Sequence, residues 1–222
     1  MRYRTGSETW SKMVMRPYRR ARRQEEKTDR VEAILASAKG LLANNTLDEC
    51  NLSTIAGEVG ITKAALYRYF RVKELIFLEI YRRELAILSP SLQQVFLAPS
   101  VEKLAAALVA QPLFCKLTAV LADVLEKPLT EEEAIAFKTY ILQVFEPLGI
   151  QLNQQFGMSL DQVINLLLHI FAAIVGCWKL SHPSAMMTLA LQNELLAPFR
   201  ADFHQYLQQH LTMLLGQIIP AS

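Results

Sequence analysis

The stretch from Leu52 to Arg71, LSTIAGEVGITKAALYRYFR, constrains this chain more than any other. Its spacing predicts two short helices joined by a tight turn. Ile55, Ala56 and Val59 form an apolar face on the first helix, Gly60 breaks it, and Ile61 plugs the turn. Leu66 and Phe70 give the second helix its buried side. Small Ala56 lets the helices approach closely, and Gly60 can take the left-handed backbone conformation that a sharp turn demands. The second helix leaves Thr62, Lys63, Ala64, Ala65, Tyr67, Arg68 and Tyr69 outside, with no acid among them. Such a pair offers the small, hydroxylic and basic groups that reading a major groove requires. A plain αα-corner inside a helical core would show the same apolar spacing.

The rest of the chain is expected to be helical too. Its 222 residues are 52% hydrophobic, with only 8 Gly and 9 Pro, and no long alternating Val/Thr/Tyr run appears. That composition predicts an all-α fold with ample core. The net charge of +2 hides an asymmetry: residues 1–85 hold 17 Lys/Arg against 11 Asp/Glu (+6), and residues 86–222 hold 6 against 10 (−4). A basic N-terminal part beside an acidic, apolar remainder suggests a polyanion-binding module joined to something else. Cys50, Cys115 and Cys177 are scattered without CxxC spacing, which fits reduced thiols in a cytoplasmic protein. No histidine pattern supports a metal, and no cofactor is expected. The basic, polar first thirty residues carry no secretory signal. The greasiest run, Leu166–Trp178, is interrupted by His169 and is read as a buried helix too short for a membrane span.

Three parts are expected. Residues 1–27 form a basic, flexible arm with nine Lys/Arg that could reach phosphates or a minor groove, or simply be a solvated leader. Residues 28–85 form a three-helix domain. Its first helix, about Thr28 to Ala43, buries Val31, Ile34, Leu35, Ala38, Leu41 and Leu42, and Asn44-Asn45 end it through a left-handed cap. Asn51 caps the next helix. A fourth helix from Lys73 to about Phe96 leads into residues 86–222, interrupted or bent at Ser89-Pro90. There, helices are expected from Val101 to Ala110 and from Pro112 to about Lys127. Thr130-Glu131-Glu132-Glu133 is a capping box that opens a helix kinked at Pro147 and Gly149. Ser159 caps a long apolar helix to about Leu180, and Pro198 opens the last, to Ile219.

The run Ile61-Thr62-Lys63-Ala64-Ala65-Leu66-Tyr67-Arg68-Tyr69-Phe70-Arg71-Val72-Lys73-Glu74-Leu75, with Ile55-Ala56-x-x-x-Gly60 before it, resembles the TetR family of bacterial repressors over residues 28–85. Gly176-Cys177-Trp178-Lys179-Leu180-Ser181-His182-Pro183-Ser184 resembles a segment in one branch of that family. Two positions depart from its pattern: Tyr69 stands where His is usual, and Asn45-Thr46 where Gly precedes an aromatic. The resemblance implies a larger helical domain that binds an effector and dimerises through the last two long helices. It implies that Thr62, Lys63, Ala64 and Ala65 meet base edges, with Lys63 donating to guanine and Ala64 or Ala65 touching a thymine methyl. It places Tyr67, Tyr69 and Lys73 on phosphates, and Ser53 and Thr54 near the backbone at the start of the supporting helix. The plainer alternatives are a helix-packing aromatic for Tyr67 and a solvated lysine for Lys63.

No chemistry of catalysis is visible: there is no glycine-rich phosphate loop and no GxSxG, and Glu131–Glu133 read as electrostatic capping. In the C-terminal part, Phe114, Phe137, Tyr140, Ile141 and Trp178 could line an apolar cavity, with Thr118, Tyr140, Asn165 and His169 as its polar groups. Core packing or an interface contact would serve each of them equally. The expected function is that of a sequence-specific DNA-binding regulator, a homodimeric repressor released from a palindromic double-stranded operator by a hydrophobic or amphipathic small molecule. The competing readings are a helical interaction module and a DNA-binding dimer without an effector.

Overall fold

The computed structural model describes residues 7–215, with side chains from Glu25 onward, and every regular element among them is a helix. Two compact units divide the chain, Met1–Ile76 and Phe77–Ser222.

In the first unit, α1 (Ser7–Asn44) precedes α2 (Leu52–Glu58) and α3 (Lys63–Leu66). The apolar period places Ile34, Leu35, Ala38 and Leu42 of α1 in the core with Leu52, Ile55 and Ala56 of α2 and Leu66 of α3, while Val31, Leu41, Val59 and Phe70, also expected there, are half-buried. Two polar contacts fix α1 to α2. Arg30 donates to the Val59 carbonyl at 3.0 Å, and the Ser37 hydroxyl donates to the Glu58 carboxylate at 2.7 Å.

Two expectations for α1 need correction. It begins at Ser7, not near Thr28, so most of the basic segment read as a flexible arm continues the helix; only residues 1–6 of that arm lie outside the described residues. No Gly or Pro stands between Tyr18 and Lys39, and the Arg, Glu, Gln, Lys and Ala before Thr28 are strong helix formers, so nothing there breaks the helix. Its end at Asn44 uses no left-handed residue, since no described non-glycine residue has positive φ. Instead the Asn45 side chain donates to the Leu41 carbonyl at 2.8 Å, satisfying one of the last-turn acceptors.

Helix α4 (Lys73–Leu97) starts in the first unit and continues into the second. The second unit adds α5 (Val101–Val109), α6 (Pro112–Thr118), a π-helical turn (Leu121–Leu125), α7 (Glu131–Phe156), α8 (Leu160–Ser181), α9 (Ala185–Ala190), a 3-10 turn (Glu194–Phe199) and α10 (Phe203–Leu215). Helix α10 packs on α5 and α8, and α8 also packs on α6 and α7. The capping boxes at Thr130/Glu133 and Ser159/Gln162 both form, each satisfying two orphan amides. The three acids at Glu131–Glu133 occupy the first turn of α7, where they favour the positive helix end.

Pro90 lies inside α4 without interrupting it, and α7 runs on past Pro147; Pro198, expected to open the last helix, lies instead inside the 3-10 turn. A proline frees the carbonyl four residues earlier. For Pro90 and Pro147 those residues are Ala86 and Gln143, both exposed, so water can take the freed acceptor. The last helix starts instead after Asp202, whose carboxylate accepts from the Gln205 amide at 2.8 Å. Its expected end at Ile219 lies outside the described residues. Helix α6 stops at Thr118, well short of Lys127: the Thr118 hydroxyl donates back to the Phe114 carbonyl at 2.8 Å, and the chain then widens into the π turn.

The long apolar helix is also more open than expected. At 22 residues α8 is long and apolar enough by composition to cross a membrane, and 33% of its most apolar window is buried. Val163, Leu166, Ile170, Ala173, Ile174 and Cys177 face the core. Asn165, Leu168, His169, Ala172 and Gly176 lie exposed along the other side.

Candidate nucleic-acid interface

The turn between α2 and α3 is built by two hydrogen bonds around one glycine. Gly60 has φ 70°, and its amide donates to the Gly57 carbonyl while the Ile61 amide donates to the Ala56 carbonyl at 2.9 Å. This paired arrangement ends α2 and reverses the chain within three residues. Thr62 then adopts an extended backbone, and its hydroxyl accepts from the Ala65 amide at 3.1 Å, so α3 begins at Lys63. Helix α3 proper is one turn long. Beyond it the chain tightens into bonds such as Tyr69 amide to Leu66 carbonyl, which carry the helical path toward Phe70.

The predicted DNA-facing residues come to the surface together. Thr62, Lys63 and Ala64 are exposed, Ala65 is half-buried, and only Leu66 of α3 is fully buried. Tyr67 is 46% exposed, which argues against a pure packing role. Tyr69 is half-buried. Ser53 and Thr54 are exposed at the start of α2, where Asn51 Oδ1 accepts from the Thr54 amide at 2.9 Å. Lys73, expected on a phosphate, donates from its Nζ to the Leu47 carbonyl at 3.4 Å, tying the start of α4 to the α1–α2 connection. Between Glu58 and Glu74 the chain holds no acid but has Lys63, Arg68, Arg71 and Lys73. Glu58 is itself engaged by Ser37. The stretch from Val59 to Lys73 therefore carries four basic side chains and no acid, a balance that favours a phosphate backbone.

Three of the predicted effector residues come together, and the others lie elsewhere. Phe114, Thr118 and Phe137 gather around Tyr81 of α4, a residue outside the predicted set. Tyr81 stacks on Phe114 with centroids 5.2 Å apart and meets Phe137 at 6.1 Å. The Tyr81 hydroxyl bonds to Thr118, and burial pushes its pKa well above the ordinary tyrosine value. Tyr140 is half-buried; its hydroxyl donates to the Arg82 carbonyl at 3.0 Å, and the Arg82 guanidinium lies 4.1 Å from its ring centre. Ile141, half-buried, follows it on α7. Asn165 and His169 stand on the exposed side of α8, away from any interior site. Trp178 stacks on His182 at 3.8 Å and meets Phe203 edge-on at 5.1 Å, at the far end of α8. The missed residue carried one signal: a tyrosine on the apolar face of α4 has a hydroxyl that must find a partner once buried.

Residues 34–80 match the family model described as "Bacterial regulatory proteins, tetR family", and residues 97–216 match "Tetracyclin repressor-like, C-terminal domain". No curated protein matches the chain. Among solved structures, the chain is similar to FadR of Thermus thermophilus, a TetR-family transcriptional repressor in complex with lauroyl-CoA. The identity is 17% and the TM-score 0.49, over 86% of this chain and 96% of that one. The C-terminal model alone spans more than half of the 222 residues, and the helix-turn-helix is matched separately, so the chain belongs to the TetR family of bacterial DNA-binding transcription regulators.

Proposed function

We propose that this regulator is a homodimeric repressor of a near-palindromic operator. The observation that carries the reading is the exposed start of α3: Thr62 caps the helix with its own hydroxyl while Lys63 and Ala64 stand free of the core beside it. Lys63 donates to guanine, Ala64 or Ala65 rests on a thymine methyl, and Tyr67, Tyr69, Ser53 and Thr54 hold the backbone in register. Two such helices, related by a two-fold axis, enter successive major grooves. The dimer forms through α8 and α10, and the exposed side of α8, with Ala172 and Gly176 at its middle, supports that reading because small residues let a partner helix approach closely. The protein works in the cytoplasm, where its operator is.

A hydrophobic or amphipathic effector enters the second unit beside Tyr81, Phe114, Phe137 and Thr118, and favours a conformation in which the two helix pairs no longer match half-site spacing. Helix α4 is the lever, since it runs from Lys73 past Tyr81 without a break. One observation favours a second reading, in which the domain only dimerises: the three rings already pack against one another. Retention of the protein's own upstream DNA in a mobility-shift assay tests the repressor reading, and no specific retention at moderate salt would sink it. Thermal unfolding against a panel of lipid-like and drug-like molecules separates the two readings of the second unit.

A further inference from the structure

Between α8 and α10 lies a segment, residues 185–200, that is folded but buries little of itself, with only Leu191, Leu196 and Ala197 half-buried. Neither α9 nor the 3-10 turn after it buries a residue. Leu195 is 85% exposed, Met186 76% and Phe199 70%, with Met187 and Leu189 also more than half exposed. Yet the backbone is closely fixed. Ser184 and Asn193 cap their helical turns, and Arg200 donates to the carbonyls of Leu191, Gln192 and Asn193 while pairing with Glu194 at 3.3 Å. A hydrogen-bonded frame with its large apolar side chains turned outward is a surface shaped for contact.

We propose that the segment Ala185–Arg200 is a docking arm that seats on a second copy of this chain and extends the dimer interface beyond α8 and α10. The inference rests on the homodimer reading. Three observations select a second copy as the occupant. The arm is continuous with the open side of α8: a cleft of about 520 Å³ brings Leu180, Ser181 and Pro183 at the end of α8 together with Thr188 and Leu191 of the arm. The middle of that open side is small, Ala172 and Gly176, so α8 alone offers little apolar area there. A stable interface covers about 800 Å² on each partner, and five large side chains at roughly 100 Å² each supply much of what α8 lacks. The charge pattern also fits. The arm's two charged residues, Glu194 and Arg200, pair with each other, so covering the arm strands neither. Helix α9, AMMTLA, has no basic residue with which to rest on an anionic bilayer.

The test is sedimentation equilibrium of the full chain carrying Leu195→Glu and Phe199→Glu, with far-UV circular dichroism to verify helix content. Both side chains are exposed, so the fold is expected to persist. The dimer dissociation constant should rise at least tenfold, while Leu160→Glu, at the opposite end of α8 and off its open side, should leave it unchanged. A photo-crosslinking residue at position 195 should join two chains and map to the partner's α8 or α10. Unchanged dimerisation in the double variant, or crosslinks only within one chain, would overturn the arm and leave the homodimer reading standing. A wild-type chain monomeric at tens of micromolar would overturn both.

Discussion

The Ile61 amide and the Ala56 carbonyl meet at 2.9 Å across Gly60, and this single bond sets the path of the recognition element. Gly60 holds φ at 70°, and a methyl added there would meet no atom within 4 Å. The cost of Gly60→Ala is therefore conformational alone, about 1–2 kcal/mol for a left-handed L-residue. Chemical denaturation should find the variant less stable by that amount, and Gly60→Asn should recover part of it. Operator affinity should fall with Gly60→Ala, because the bond that aims α3 is strained.

Two lysines that look alike in sequence should separate by salt dependence. Lys63 is exposed on α3, and Lys63→Ala should cost about 1–3 kcal/mol of cognate affinity and relax preference at one base pair. Lys73 already donates to the Leu47 carbonyl. Lys73→Ala should lower the stability of the first unit while leaving the slope of log affinity against log salt unchanged. A slope reduced by about one would restore Lys73 to the phosphate backbone.

The buried pair Tyr81 and Thr118 invites a double-mutant cycle. Thr118 is 1% exposed and Tyr81 3%. Thr118→Val strands a buried phenol and also removes the hydroxyl bond to Phe114, so it should cost about 1–3 kcal/mol in thermal or urea unfolding. Tyr81→Phe should cost about 1 kcal/mol, and the double variant less than the two together. Additive losses would show that the hydroxyls do not act as a pair.

What the sequence made legible was local. Gly60, Asn51, Thr130 and Ser159 act within four residues of themselves, and each sits where its chemistry predicted. What it hid depended on the third dimension. The sequence left open whether Pro90 bends or interrupts α4, because a freed carbonyl costs energy; the helix continues there and past Pro147, with Ala86 and Gln143 exposed to solvent, which no local rule reveals. Pro198 read as a helix start until Asp202 took the capping role. The other effector residues scattered because apolar type marks burial without saying where. For α8 the signal was available: Asn165, His169, Ala172 and Gly176 fall on one side at helical spacing, so two of the polar candidates shared the small-residue face, not the core.

The three cysteines offer a last measurement, because all are buried for the same physical reason. Cys115 is fully buried, donates weakly to the Leu108 carbonyl at 3.3 Å, and has its pKa pushed up from 9.0 to about 12 by loss of hydration. Burial raises the Cys177 thiol as well. A raised acid pKa means the folded state keeps a proton that the unfolded chain gives up, so the thiol's share of stability is intact below pH 9 and falls as pH climbs toward 12. Thiolate, not thiol, reacts with disulfide reagents. Native protein at pH 8 should therefore label slowly at Cys115 and Cys177, and at Cys50 because burial shields it from the reagent, and all three should react at once in denaturant. Urea midpoints should drop above pH 9, and Cys115→Ala should flatten that drop while lowering stability at neutral pH by about 1 kcal/mol. Fast labelling of Cys115 in the native state would mean that α6 opens on the timescale of the reagent.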